Sequence, residues 1–580
     1  MKQAKKLAAV LLSLVLVLAL AVPASAAGNY TITITNDQTG HTYEAYQIFA
    51  GDVSDDTQQG GNVEGPILSN ITWGTGVDNT RVDNTRYEAL LAALQADGTI
   101  GRKFAAIKDA TDAAAIAAAL DGAATTGAEA FANVVSRFLS DTATESTPGN
   151  GVYTIANLDA GYYLVKDQNG SLQGDPATAT EYIVQVLGNV AMEPKDSDVP
   201  TVEKKVSEED FRQDDGYGYG YNDVADWDIG DSVPFKLIGS IPDMSAYDTY
   251  EYIFTDTLSN GLTLQEDTIK VYIAVDKDDE VGGYTALTAG EDYTLNVQNV
   301  GANGGGSFSI AFDDLKTAPY IAEGNRNYVI VTYDATLNPN AVIGLNGNPN
   351  DVYLEFSNDP NGDGLGRTTE DTVIVFTYEL DGTKVDGENE DTKLEGAEFV
   401  LFNGGHTRVA HIENGKLAGW VALPAGYNSN NYQQIPYETW ETFNGTTNVI
   451  MRSVAEGAFG VSGLDDGTYH LMEIKAPNGY NLLEDAVKLD ITATTYNGQE
   501  WTGDAADALT VLQVAVDDGN AENGNLGTGA VNVTVRNNQG ATLPETGGMG
   551  TTLFYIIGGL LVVGAGILLV VRIRMRSHNE

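Results

Sequence analysis

The sequence predicts a mainly β protein: three tandem Ig-like β-sandwiches, the first with a helical insertion, followed by a C-terminal transmembrane helix. Three observations carry this. Short alternating apolar–polar stretches such as "NYTITITND" recur along the chain, separated by Gly- and Asn-rich turns, and there are 65 glycines. Helical spacing of apolar residues is confined to a few intervals. The 580 residues suffice for three or four domains.

The chain opens "MKQAKKLAAVLLSLVLVLALAVPASAAG", with Lys2, Lys5 and Lys6 ahead of an apolar run from Leu7 to Val22 and a small-residue site, Ala24-Ser25-Ala26. This pattern predicts a secretory signal peptide over residues 1–26, removed on export. Residues 27–194 form the first predicted domain. An alternating strand precedes the Ala-rich stretches "TRYEALLAALQADG", "GRKFAAIKDATDAAAIAAALDG" and "GAEAFANVVSRFLS", whose apolar residues recur three and four apart. Strands follow in "GVYTIANLDAGYYLVKD" and "EYIVQVLGNVAMEP". Residues 195–368, from "DVPTVEKKV" to "NDPNGDGLG", alternate regularly between strands and turns, as a second sandwich would. Residues 369–540 run from "EDTVIVFTYELDGTKVD" to "AVNVTVRNN" and predict a third. Residues 541–580 hold Leu543-Pro544-Glu545-Thr546-Gly547, then an apolar run, 552–571, of about the 20 residues that span a bilayer, then Arg572, Arg574 and Arg576.

Composition excludes some functions. With 81 acidic against 31 basic residues, net −50, the chain lacks the basic footprint of a nucleic-acid binder. It contains no cysteine, so an exported form must be stabilised by something other than disulfides. Five scattered histidines give no legible zinc site, no nucleophile–base pair stands out, and no cofactor is expected.

Strand alternation singles out three residue types that point with the apolar side chains. In "PTVEKKV", Lys204 is in phase with Val202 and Val206. In "YEYIFTDTL", Asp256 follows Tyr252 and Phe254, and in "NDVYLEF" Asn350 precedes Val352 and Leu354. The third domain repeats the set with Lys384, in step with Tyr378 and Leu380, Glu473, in step with Tyr469 and Leu471, and Asn537, in step with Val533 and Val535. Isolated charges are expensive to bury. One reading is an internal ion pair with an amide partner, or strand ends frayed into water. The other is chemistry. Desolvation lowers a lysine pKa and raises a carboxyl pKa. A neutral amine could then attack the asparagine carboxamide, helped by the protonated carboxyl, with ammonia leaving. The amide bond so formed would join first and last strands of the domain. Lys205 and Asn358 are rival positions in the middle domain. The opening strand of the first domain carries no lysine, so no such bond is expected there.

"LPETG", an apolar span and a basic tip together resemble the cell-wall sorting signal of Gram-positive bacteria. The likeness implies that a sortase cuts between Thr546 and Gly547 and holds the threonine as a thioester until an amine displaces it. "LEGAEFVLF" and "TYHLMEIKAPNGY" resemble CnaB-type pilin domains, the second stretch being similar to their E-box, which implies Glu473 as the glutamate that assists isopeptide formation. "EKKV", "FTDTL" and "PNDVYLEF" supply Lys204, Asp256 and Asn350 by the same likeness. The connector "VLGNVAMEPKDSDVP" resembles a pilin motif, with Val190, Met192, Pro194 and Lys195 in place. Glu193 stands where tyrosine is frequent, and the upstream tryptophan is missing. An ordinary linker lysine is the alternative.

Nearly the whole chain resembles the backbone pilins of sortase-assembled pili. That implies a class C-type sortase, other copies of the chain, tip and base pilins, peptidoglycan and a host ligand as partners, with Thr546 of one subunit joined to Lys195 of another. A singly anchored adhesin or ancillary pilin is the alternative. A surface hydrolase would need a cleft that the sequence does not suggest. Finally, "DPNGDGLGRTTE" has the spacing of a calcium loop through Asp359, Asn361, Asp363, Gly364 and Glu370, but it lacks flanking helices and has Gly366 where such a loop usually has an aliphatic residue, so it reads as a hydrophilic turn linking two domains, with calcium the alternative.

Overall fold

The computed structural model describes residues 30–576 except 37–39, 56–65, 78–84, 97–109, 121–130, 133, 150, 173, 175–176, 178, 180, 194–198, 246, 279–285, 299–303, 322–325, 361 and 541–549. The signal-peptide residues, Lys195, Asn361 and Leu543 to Gly547 therefore lie outside the described residues.

The first unit is a sandwich of two sheets. One orders Thr147–Gly149, Val152–Leu158, Tyr30–Thr35 and Val190–Met192, the last two parallel. The other orders Pro66–Trp73, Tyr43–Asp55, Gly161–Asp167 and Glu181–Val186, with Thr144–Glu145 beside Tyr43–Asp55. Alternation explains the packing: Ile32 and Ile34 are buried between the sheets with Tyr43, Tyr153 and Val165, while the intervening threonines face out. The helical insertion is present as Thr85–Ala96 and Ala113–Leu120. Leu90, Leu94 and Ile116 pack with Ile48, Phe49 and Phe131 in a second, separate core.

The middle unit pairs a sheet ordered Tyr221–Asn222, Val202–Ser207, Ser232–Ser240, Tyr328–Leu337, Leu262–Ala274 with one ordered Val224–Asp226, Asp371–Phe376, Asn348–Ser357, Tyr252–Leu258, Gly306–Phe312, Thr294–Gln298. Asp371–Phe376 runs antiparallel to Asn348–Ser357 and parallel to Val224–Asp226. The sequence reading gave this strand to the third domain; its ladder places it in the middle sheet, and the chain changes sheets between Phe376 and Tyr378. No turn residue marks the change in "VIVFTYEL", which is why the switch is hidden in the sequence.

The third unit is built on one long hydrogen-bonded path from Glu522–Asn523 through Leu509–Val516, Val487–Thr495, Gly467–Lys475, Glu398–Asn403, Arg408–Glu413, Lys416–Ala422, Ala458–Leu464 and Tyr378–Asp386 to Ala530–Asn537. Its opening and closing strands, Tyr378–Asp386 and Ala530–Asn537, are parallel neighbours over their full length. A helix, Tyr437–Thr447, buries Trp440 against Phe402 and Val409. The middle and third units share one continuous apolar core. The C-terminal helix Gly550–Arg576 includes an apolar stretch, Phe554–Met575, of mean hydropathy 2.6 whose apolar side chains are exposed. It is long and apolar enough to cross a membrane.

Candidate functional site: two buried lysine–carboxyl–asparagine clusters

In the middle unit Lys204, Asp256 and Asn350 are each completely buried. Lys204 comes from Val202–Ser207 in one sheet. Asp256 and Asn350 come from adjacent strands of the other, where Leu258 pairs with Asn350 and Asp256 with Val352. The cluster therefore bridges the two sheets through the core. Lys204 Nζ donates to Asp256 Oδ2 and to Asn350 Oδ1, the latter at 2.7 Å. Tyr333, from Tyr328–Leu337, completes the ring: its hydroxyl donates to Asp256 Oδ2 at 2.9 Å and accepts from Asn350 Nδ2 at 2.7 Å. Asp256 Oδ1 is buried without a hydrogen-bond partner. Burial pulls the Lys204 pKa below its ordinary value and pushes that of Asp256 up, each opposed by the other's charge.

The rival positions are occupied elsewhere. Lys205 points to the other side of its strand and pairs with Asp223 Oδ1 at 2.5 Å and with the Gln499 carbonyl of the third unit at 3.0 Å. Asn358 donates to the carbonyls of Leu172 and Ala177 in the first unit at 2.9 and 3.2 Å. One expectation needs correcting: Asn350 does not sit on the last strand of the middle unit, because Leu365–Arg367 and Asp371–Phe376 follow it in the same sheet. A link from Lys204 would join the first strand to this one.

The third unit holds its cluster differently. Lys384 and Asn537 lie on the parallel neighbours Tyr378–Asp386 and Ala530–Asn537, with Lys384 in register with Val535 and Asp386 with Asn537. Both side chains are buried. Lys384 Nζ donates to the Val535 carbonyl at 3.1 Å. Glu473, from Gly467–Lys475, accepts from Asn537 Nδ2 at 3.0 and 2.8 Å, and from the Leu483 amide at 3.0 Å. Asn537 Oδ1 is buried without a partner. Burial lowers the Lys384 pKa to about 8, with Glu473 opposing, and raises that of Glu473. An amine that gives up its proton more readily than usual and a carboxyl inclined to hold its own, on strands beside a buried carboxamide, are the groups that attack on an amide carbon with proton transfer requires.

Tyr333 was not singled out from the sequence, although it is in phase with Val329, Val331 and Ala335 in "YVIVTYDATL" and so shares their inward face. Of the pilin-motif residues, Val190 and Met192 are buried on a strand paired parallel to Tyr30–Thr35, and Glu193 is exposed. Lys195 follows this strand's end outside the described residues. In the calcium-like loop, Asp359 and Asp363 line one surface pocket with Tyr247 and Asp248, but Glu370 is drawn into an exposed ion pair with Arg367 at 2.6 Å. Among the described residues these acids do not converge on one point.

A surface protein anchored to a cell wall is the class defined by tandem β-sandwiches above an apolar C-terminal helix, since residues 536–575 match the LPXTG cell wall anchor motif. Residues 229–360 match the Gram-positive pilin backbone subunit 2, Cna-B-like domain, and residues 379–504 the SpaA prealbumin-like fold domain. The chain belongs to the backbone pilins of Gram-positive bacteria. It is 25% identical over 387 residues to the trypsin-resistant surface T6 protein of Streptococcus pyogenes serotype M6, a match covering 59% of this chain and 65% of the relative, so it spans a little under two thirds of that protein's length. Solved structures similar to it include the T6 backbone pilin of serotype M6 Streptococcus pyogenes (17% identity, 89% of this chain and 100% of that one, TM-score 0.48). Another is the full-length major pilin SpaD of Corynebacterium diphtheriae (16% identity, 88% and 98%, TM-score 0.43).

Proposed function

We propose that this chain is the repeating shaft subunit of a covalent pilus, stabilised by two self-formed isopeptide bonds. The observation that carries the reading is the pair of buried lysine–carboxyl–asparagine clusters, one in each of the two domains matched to pilin families. In each, the lysine Nζ attacks the asparagine Cγ, a new C–N amide bond forms, the old one breaks, and the carboxyl passes a proton to the departing ammonia. At Asn537, turning the carboxamide over would place Oδ1 against Glu473, where the protonated acid can polarise it. The protein acts on itself, not on a substrate.

Polymerisation follows the same balance. A class C-type sortase cysteine displaces the Gly547 amine from the Thr546 carbonyl, and Lys195 Nζ of another subunit then displaces the cysteine. The apolar helix holds the subunit at the membrane until the enzyme has taken it. Tip and base pilins, final attachment to peptidoglycan and a host ligand belong to this reading as partners.

The test is a detergent-denaturing gel of wall-released protein from cells carrying wild type or Lys195→Ala. A high-mass ladder that collapses to monomer in the variant supports the shaft. A single wall-linked band in both strains contradicts it and leaves a singly anchored adhesin.

A further inference from the structure

Where the middle and third units meet, three carboxylates converge. Asp226 ends the middle-unit strand Val224–Asp226, and Asp465 and Asp466 form the turn between Ala458–Leu464 and Gly467–Lys475 of the third. One carboxylate oxygen from each lies within 4.8 Å of the other two. Asp226 and Asp465 are more than nine-tenths buried. Their strongest electrostatic neighbours are further acids and the Tyr378 phenol, with no lysine or arginine among them. Three like charges in so small and dry a space are unfavourable unless something positive joins them.

The hydrogen bonding leaves room for that partner. Asp465 Oδ1 accepts from the Asp466 amide at 2.8 Å, and Asp466 Oδ2 from the Ala493 amide at 3.2 Å, which orients each carboxylate, and the Glu209 carboxyl lies against Asp465. Asp226 Oδ2 is buried and has no hydrogen-bond partner. The Tyr378 hydroxyl is fully buried against Asp226 and is the one neutral side-chain group among its strongest neighbours. Glu208, buried beside Asp226 with its Oε2 accepting from the Asp226 amide at 2.8 Å, adds a fourth carboxyl. Oxygen ligands of one calcium lie about 2.3–2.6 Å from the ion, so two of them are at most about 5 Å apart. The observed spacing meets that limit.

We propose that Asp226, Asp465 and Asp466 form a site for a hard divalent cation of the calcium type, which ties the middle and third units together. The site is separate from the Asp359 loop and independent of the shaft reading. Its ligands come from two domains, so binding requires that the domains be docked, and docking is stabilised in turn by the ion. An extracellular protein without disulfides gains by this a second kind of brace, acting between domains where the isopeptide clusters act within them.

The experiment is calcium titration of the chelator-stripped, purified full-length chain in detergent, by calorimetry and by thermal unfolding. Wild type, Asp226→Asn and Asp466→Asn are compared. The expected result is one calcium per chain in wild type that either variant loses or binds at least tenfold more weakly, with a calcium-dependent rise in Tm that both variants lack. The idea is overturned if wild type and both variants take up calcium equally. It is also overturned if calcium leaves the wild-type Tm unchanged while the Asn variants melt higher without it, which would show that shared protons alone relieve the repulsion. Asn keeps the shape of Asp, and a variant that melts cooperatively is a valid comparison.

Discussion

Lys204 Nζ approaches Asn350 Oδ1 to 2.7 Å across the core of the middle unit, from the opposite sheet and from 146 residues away in sequence. A covalent bond here would close a loop of that size. By the chain-entropy argument used for disulfides, such a closure removes roughly 5 kcal/mol from the stability of the unfolded state. At 2–4 °C per kcal/mol, the expected shift is on the order of 10–20 °C in Tm.

The first prediction is that wild-type chain has lost two ammonia molecules by intact mass and that Asn350→Ala and Lys204→Met each retain the middle-domain one. Lys205→Ala should lose both as wild type does, because Lys205 is turned toward Asp223 and Gln499. Retention in Lys205→Ala would move the bond to the neighbouring lysine.

Glu473→Ala should block the third-domain bond alone. Glu473 is the buried carboxyl that touches Asn537, and the middle cluster has its own acid in Asp256. Intact mass should therefore show one ammonia lost, and peptide mapping should place the remaining link at Lys204–Asn350.

Tyr333→Phe removes the hydroxyl that joins Asp256 to Asn350. The reacting trio stays in place but less firmly oriented, and slower bond formation by about tenfold is expected, the rate equivalent of one ordinary hydrogen bond. The measurement is the fraction of newly made chains that have lost the middle-domain ammonia as a function of time.

In Asn537→Ala no third-domain bond can form, and Lys384 stays a buried amine whose pKa, about 8, lies below its ordinary 10.5. Between these values the unfolded chain binds the proton and the native chain does not, so stability should rise as pH increases from about 8 to 10.5. Denaturant midpoints across this window should climb in the variant. With the proposed amide formed, Lys384 no longer titrates in wild type, and its midpoint should lack that rise.

How far the sequence disclosed this architecture depended on how local each signal is. Alternation alone placed Lys204, Asp256, Asn350, Lys384, Glu473 and Asn537 on inward faces, and all six are buried, because a two-residue period survives wherever a strand is regular. It failed at Tyr43–Asp55, a long strand in "YEAYQIFAGDVSD" that shows no clean alternation. Register shifts between Gln47 and Phe49 and between Ala50 and Asp52 break the period there. The sheet switch after Phe376 was hidden because an apolar strand runs straight into the next. The partnership of Asp226 with Asp465 was not legible at all, since it exists only once two domains dock.

The central claim, covalent polymerisation through Lys195, is tested most directly by tandem mass spectrometry of protease-digested wall-released polymer. The account predicts a branched peptide in which the Thr546 carbonyl is bonded to Lys195 Nζ, with ammonia-free Lys204–Asn350 and Lys384–Asn537 links in the same sample. A polymer whose Thr546 is joined to a different lysine, or material in which Thr546 is joined only to peptidoglycan, would contradict it.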